Sequence, residues 1–285
     1  MERYIEKARV IMEALPYIRE FSKKTVVIKY GGNAMESPQL KELVMQDIAL
    51  LKLVGINVVI VHGGGPAISE MMQRLGKEPK FVDGYRYTDE ETMEITEMVL
   101  SGLINKELVA AVNAHGIKAV GLSGKDNRLI LAKKKGPKDI GMVGEIISIQ
   151  PEVVQTLIAS DYVPVISPVG VGEDGKTYNI NADIAAGEIA IALKAYKLIY
   201  MTDIRGIYED INDENSFLST VNETAINRLK KEKKISEGMI PKIDSALKAV
   251  KQGVEKVHII DGRIEHSLLL ELLTDAGIGT EIARG

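Results

Sequence analysis

Six short runs of β-branched and aliphatic residues recur along the chain: TVVIKY (25–30), INVVIVH (56–62), IKAVGL (117–122), YVPVIS (162–167), KLIYMT (197–202) and KVHII (256–260). Most are apolar at consecutive rather than alternate positions, the pattern of strands buried on both faces. Between most of them the apolar spacing changes to three and four. Leu40, Leu43, Val44, Ile48 and Leu51 form one such stripe, and Ile95, Val99, Leu103, Leu108 and Val112 another. Strands alternating with amphipathic helices predict an α/β fold, a three-layer α/β/α sandwich around a mainly parallel open sheet. Two stretches break the rhythm and read as hairpins on one side of that sheet: KFVDGYRYT (80–88) and RLILAKKKGPKDIGMVGEIISIQ (128–150).

Ahead of the first strand, Ile5, Ala8, Ile11 (or Met12), Leu15 and Ile18 put an apolar stripe on a predicted helix. Such a helix either lies back on its own domain or is exchanged with a neighbouring subunit. The Gly-rich piece SPVGVGEDGK (167–176) is the natural seam between two lobes. The expected organisation is an N-terminal helical segment over 1–22, a first lobe over 23–170 and a second over 171–285.

Composition narrows the class. A chain of 285 residues with 45% hydrophobic and 27% charged residues suits one large or two modest globular domains. A net charge of −4 argues against nucleic acid or an acidic membrane surface as a partner. The absence of cysteine excludes disulfides, thiolate metal sites and a thiol nucleophile. No apolar run approaches the ~18 residues of a membrane span, and Glu2, Glu6 and Glu13 interrupt the first helix, unlike a secretory leader. A cytoplasmic enzyme is the expectation.

The candidate chemistry lies at strand ends. IKYGGNA (28–34) and VIVHGGGPAISEMM (59–72) both close an apolar run with glycines, which let a backbone approach a ligand closely. In a parallel sheet these carboxyl ends border the ligand crevice. Pro66 suits a first helical turn, so HGGG would cap a helix N-terminus, where anions bind. Neither cluster has the G-x-G-x-x-G spacing of a dinucleotide fold, and Lys29 precedes its glycines, the inverse of a P-loop.

Charges surround these turns. NINADIAAGEIAIAL (179–193) gathers Asn179, Asn181 and Asp183 where a loop enters a helix. Asn181 as a cap and Asp183 on the helix dipole explain two of the three, leaving Asn179 over. Arg86, between Tyr85 and Tyr87, either stacks on them or grips a carboxylate. Lys242, early in an amphipathic helix after Pro241, is on composition alone a solvated lysine. Together these groups suggest a crevice for two anions with lysines to neutralise them.

The ordered set IKYGGNAM, VIVHGGGP, GYRYTDEETMEI, NINAD, TDIRGIYED and SEGMIPK resembles the amino acid kinase family over essentially the whole chain. Within it the similarity is to members that phosphorylate N-acetyl-L-glutamate with ATP and Mg2+, giving the acyl 5-phosphate in arginine biosynthesis. The Arg86 hairpin and the NINAD spacing favour that acceptor over aspartate, glutamate, carbamate or UMP. Intact lysines and aspartate argue against a non-catalytic arginine sensor on the same fold.

The resemblance implies roles residue by residue. Lys29 would contact the transferring phosphoryl group, Lys242 would stabilise the leaving ADP oxygen, and Asp183 would orient both. Gly31, Gly32 and Gly65 belong to the turns that hold phosphoryl oxygens, while Gly64 helps seat the acetylated substrate. Arg86 would grip its α-carboxylate, with Asn179 and Asn181 on its amide side. Thr202, Asp203, Tyr208 and Asp210 are the candidates for nucleotide binding, and magnesium would arrive on ATP with no direct protein ligand. Asn127 stands where many relatives place glycine, which affects only a local turn, since asparagine tolerates the left-handed conformation. Arginine-inhibited members carry an N-terminal extension that interlaces dimers into a hexamer. This implies an effector site near Tyr17, Lys197, His266, Glu271 and Gly277. In some relatives a PII-type signalling protein is a further partner.

Overall fold

The computed structural model describes residues 1–35 and 37–284. Helices α1 (Glu2–Glu13) and α2 (Leu15–Phe21) precede β1 (Thr25–Tyr30), α3 (Pro38–Leu53), β2 (Asn57–His62) and α4 (Gly65–Arg74). A small hairpin, β3 (Phe81–Val82) and β4 (Tyr85–Arg86), leads into α5 (Glu90–Glu97), a π-helical turn Met98–Ile104 and α6 (Asn105–Ala114). Then come β5 (Ala119–Ser123), β6 (Ile130–Lys134), β7 (Gly144–Ile149), α7 (Glu152–Ala159), β8 (Val163–Ser167), β9 (Val169–Val171) and β10 (Thr177–Asn179). The remainder runs α8 (Ala182–Ala192), β11 (Lys197–Thr202), β12 (Ile207–Tyr208), β13 (Phe217–Leu218), β14 (Thr220–Val221), α9 (Glu223–Lys231), α10 (Ile240–Lys251), β15 (Lys256–Asp261), α11 (Ser267–Leu273) and β16 (Thr280–Ile282).

All six predicted strands lie in one sheet of order β14-β16-β15-β11-β1-β2-β8-β5. Every pairing between those six is parallel; β16, next to the edge, pairs antiparallel with β15, and the edge strand β14 runs parallel to β16. The short strands β14 and β16 were not expected, because two or three residues are too few for a period to register. Both predicted hairpins form, and β6 and β7 join β9 and β10 in a second four-stranded sheet.

The period of two along each strand sorts the core into two layers. Val26, Ile28 and Tyr30 pack with α2, α3, α4, α6 and α11, whereas Val27 packs with α7, α8, α9 and α10. Lys29 therefore leaves β1 on the face of α8 and α10. By the same alternation His62 leaves β2 with Val58 and Ile60, toward α6.

The second predicted stripe is altered by the π-helical turn. Val99, Leu108 and Val112 are buried, but Leu103 is 53% exposed. A wider turn rotates the residues within and just beyond it, so Leu103 leaves the core and Asn105 enters it, fully buried. Asn127 adopts φ +50, the left-handed turn expected of it.

The N-terminal segment divides at Ala14. No residue of α1 is buried, and Tyr4, Ile11 and Met12 are exposed. In contrast, α2 buries Phe21 and lays Tyr17 and Ile18 against the core.

Candidate active site

The sheet order reverses at β1: the chain passes through β2 to β8 on one side and returns through β11 and β15 on the other. That switch point, at the carboxyl ends of parallel strands, is where open α/β sheets form a crevice. A cavity of about 380 Å³ lies there, bordered by Lys29, Gly32, the Gly63–Gly65 turn, Arg86, Asn179, Asn181 and Asp183.

Asp183 is its electrostatic centre. Asn181 caps α8 by accepting from the amides of Asp183 (2.9 Å) and Ile184 (3.1 Å), which fixes Asp183 in the first turn. Its Oδ1 takes Lys29 Nζ at 3.2 Å and Lys242 Nζ at 2.8 Å. Burial alone would raise the carboxyl pKa, but the two lysines outweigh it and hold the group at about 2. Lys242 is held down at about 8, chiefly by burial and further by Lys29, against the opposing pull of Asp183.

Composition alone favoured a solvated Lys242; α10 instead buries it, leaving 5% exposed. Its ammonium lies over the Tyr200 ring at 5.2 Å. Tyr200 donates to Ser245 Oγ (2.9 Å), and Ser245 donates to the Asp183 carbonyl (3.0 Å). Sequence reading missed both supports. Ser245, three residues after Lys242 on one helix face, and Tyr200, in phase with Leu198 on β11, were the available signals.

The order of lysine and glycine in IKYGG has a steric reason. The Lys29 side chain folds back across Gly31, where an added Cβ would stand 2.6 Å from Nζ. Gly32 has φ +71, favoured by glycine, and its Cα region faces the backbone of Asp203, 3.9 Å from an ideal Cβ. The candidate nucleotide loop thus begins beside the cavity, with Thr202 bonded to Asp203 (3.2 Å). Tyr208 and Asp210 lie further along, Tyr208 edge-on to Phe217 (5.5 Å) and Asp210 Oδ1 accepting from Asn212.

Arg86 closes the other end. It donates to Gly65 O and Ser69 Oγ, both at 2.8 Å, and lies 4.9 Å over Phe81 rather than on a tyrosine. Tyr85 and Tyr87 point to the opposite face of the strand, whereas Phe81 is its cross-strand partner. Asn179, left over by the helix-cap explanation, donates to Thr88 Oγ1 (3.2 Å), which in turn donates to Arg86 O (2.8 Å). Gly64, the N-cap of α4, sits under Leu100 and Ile104 of the π-helical turn. Lys41 and Glu107, paired with one another, also border the cavity and were not expected there.

Residues 24–261 match the amino acid kinase family. This chain belongs to that family. It is 55% identical over 281 residues to the acetylglutamate kinase of Thermoanaerobacter pseudethanolicus, covering 98% of this chain and 94% of that one. It is 52% identical to the acetylglutamate kinase of Aquifex aeolicus, with 99% of each covered. Among solved structures, N-acetylglutamate synthase from Neisseria gonorrhoeae with coenzyme A and N-acetyl-glutamate superposes with TM-score 0.86 at 27% identity. This amino acid kinase chain is 98% covered there but spans 63% of the synthase. The same synthase with coenzyme A and L-arginine gives TM-score 0.81 at 26% identity, over 97% of this chain and 65% of that one.

The five residues assigned to an effector site fall at the opposite, amino-terminal edge of the sheet and around α11. Lys197, at the start of β11, meets Glu271 of α11 at 2.6 Å, and His258 Nε2 is 3.2 Å from the same carboxylate oxygen. Phe21 of α2 underlies Lys197 at 5.6 Å. Tyr17 packs from the same helix. His266 points elsewhere, pairing with the buried Asp47 at the start of α11 (2.6 Å), and Gly277 lies in the loop beyond that helix with φ +49. Among the described residues, Glu271 Oε2 and His258 Nδ1 have no hydrogen-bond partner.

Proposed function

We propose that this chain transfers the γ-phosphoryl group of ATP to the side-chain carboxylate of N-acetyl-L-glutamate, giving N-acetyl-L-glutamyl 5-phosphate for arginine biosynthesis. The observation that carries the reading is the single Asp183 oxygen shared by Lys29 and Lys242. It gathers two ammonium groups from the two halves of the chain at one edge of a cavity, which Lys29 and Asp183 border and whose other end holds Arg86. The full-length likeness to acetylglutamate kinases supports the same acceptor.

The chemistry asks little of a base. A carboxylate is ionised near neutral pH, so the barrier is chiefly two anions meeting in line. Positioning and charge stabilisation lower it. On this reading Lys29 meets the transferring group, Lys242 the ADP oxygen, and Asp183 orients both without touching substrate. Gly32, Gly64 and Gly65 supply amides, with Gly31 leaving room for Lys29. Arg86 takes the α-carboxylate, with Asn179 and Asn181 beside the acetamide. Thr202, Asp203, Tyr208 and Asp210 contact the nucleotide. Magnesium belongs with the ATP phosphates: the central carboxylate already has Oδ1 occupied by both lysines. Once bound it would neutralise phosphate charge.

The first lobe (23–170) then holds the acceptor, with Asn179 and Asn181 reaching it across the seam, and the second (171–285) holds the nucleotide. We read the cluster around Lys197 and Glu271 as a binding place for inhibitory L-arginine. Its support is the unpartnered Glu271 oxygen, which suits a guanidinium donor, and the likeness to the arginine-bound synthase. The amphipathic, wholly unburied α1 is read as the arm that joins dimers into a hexamer.

The test is ADP release by the purified chain with N-acetylglutamate, glutamate, aspartate, carbamate and UMP offered in parallel, with and without arginine. N-acetylglutamate should give the highest kcat/KM, reduced by arginine. Equal or greater turnover of any other acceptor overturns the assignment of substrate.

A further inference from the structure

The HGGG turn places three glycines in succession, so nothing in their own side chains fixes the direction of their amides. Yet a donor that stabilises charge in a transition state has to be aimed beforehand. The neighbouring histidine supplies the constraint.

His62 is fully buried at the end of β2. Its Nδ1 is 2.9 Å from the Gly63 carbonyl oxygen and its Nε2 is 3.2 Å from Asn105 Nδ2. Asn105, also fully buried, directs the same nitrogen at Val165 O (2.9 Å) and Leu122 O (3.3 Å), while its Oδ1 accepts from Lys106 Nζ (3.1 Å). With oxygen toward the ammonium, the two N–H groups of Asn105 are shared among Nε2, Val165 O and Leu122 O. Because Nε2 faces that amide nitrogen and Nδ1 faces a carbonyl oxygen, His62 carries its proton on Nδ1 and donates to Gly63 O. Burial pushes the imidazole pKa down to about 4, which keeps this neutral form through the working pH range.

In a planar trans peptide the Gly64 N–H points opposite to the Gly63 carbonyl, hence away from His62. Gly63, Gly64 and Gly65 border the cavity, and among the described residues neither the Gly64 nor the Gly65 amide has an acceptor. We propose that His62 is a positioning residue for phosphoryl transfer: by holding the Gly63 carbonyl it aims the Gly64 N–H into the cavity, where the seated acceptor carboxylate meets the transferring group, and Asn105 holds His62. The π-helical turn gains a purpose, since it ends immediately before Asn105 and rotates that side chain into the core.

This rests on the phosphoryl-transfer reading, and the experiment separates the two. His62→Leu fills the space but has no donor. His62→Asn keeps an amide nitrogen at the δ position, able to reach Gly63 O, while losing the link to Asn105. Steady-state ADP release and thermal melting are measured for both variants and the wild type. For His62→Leu, kcat should fall about 100-fold, with KM for both substrates within about threefold. His62→Asn should recover most of kcat even though its Tm falls at least as far. A His62→Leu enzyme with wild-type kcat, or kcat losses that track Tm in both variants, overturns the positioning role alone. A wild type that phosphorylates no acceptor overturns the transfer reading and the proposal with it.

Discussion

Two buried lysine–carboxylate clusters sit at opposite edges of the same central strands, and they differ in charge balance. At the carboxyl edge, one Asp183 oxygen answers two ammonium groups, and Lys29 and Asp183 border the cavity. At the amino edge, Lys197 and Glu271 are each 3% exposed, and the adjoining His258 is held well below its ordinary pKa by burial and by Lys197. One cation there meets one anion beside a neutral ring. An excess of positive charge facing a cavity is satisfied only by an incoming anion, whereas a balanced pair sealed in the core holds the chain together first.

The comparison breaks most easily at the lysines. Lys29→Ala and Lys242→Ala should each lower kcat by ~10²–10³, or ~3–4 kcal/mol of transition-state stabilisation, with near-UV circular dichroism unchanged. Full turnover by either variant would remove that lysine from the mechanism. Lys197 is buried as deeply, but replacing it should leave kcat without arginine within about twofold.

Asp183→Asn should act through the lysines, lowering kcat roughly tenfold to a hundredfold while KM for the acceptor moves less. Its pH profile sharpens the point. In the free wild type Lys242 loses its proton as pH rises through about 8, so kcat/KM for ATP should fall above that value. Asp183 is the group that pulls this pKa up, so its replacement by a neutral amide should move the alkaline limb to lower pH. A limb that stays in place, or a pure KM effect, makes Asp183 a binding residue instead.

Glu271→Gln tests the balanced cluster. Removing one partner of a buried pair leaves the other uncompensated, a loss of ~3 kcal/mol or more. Burial already depresses the Lys197 pKa, so release of its proton limits that loss. The expected result is a lowered Tm and a lost response to arginine, with kcat in its absence nearly unchanged. A variant inhibited by arginine as the wild type is would separate this cluster from the effector.

How much of the molecule was legible depended on what kind of order each residue reports. Strand cores such as Val26–Ile28 and Val58–Ile60 announced the sheet because burial on two faces leaves an unbroken apolar run. The glycine turns and NINAD were legible through their turn and cap chemistry. Tyr200, Ser245 and Asn105 were not, since their roles arise from helices packing across the sheet, and a single polar residue on a buried face has no period. Leu103 misled for a local reason: it lies inside a π turn, whose wider winding swings it off the stripe that Leu108 and Val112 still follow.

The smallest effect on catalysis, and the largest on assembly, should come from the N-terminal segment. Its apolar stripe reads continuously from Ile5 to Ile18, but the structure divides it. Deleting 1–20 would remove Tyr17 and Ile18 from the core and cut into the helix that seats Phe21 beneath Lys197. Removal of 1–13 takes away only α1, which buries nothing in its own chain. A helix with Tyr4, Val10, Ile11 and Met12 in water has no stability to contribute unless another surface covers them. The truncated chain should therefore keep its Tm and its kcat without arginine, yet sediment as a smaller oligomer and respond less to arginine. If it sediments like the full chain, the arm lies unused. If it also loses kcat, the division at Ala14 is wrong and α1 supports the sheet after all.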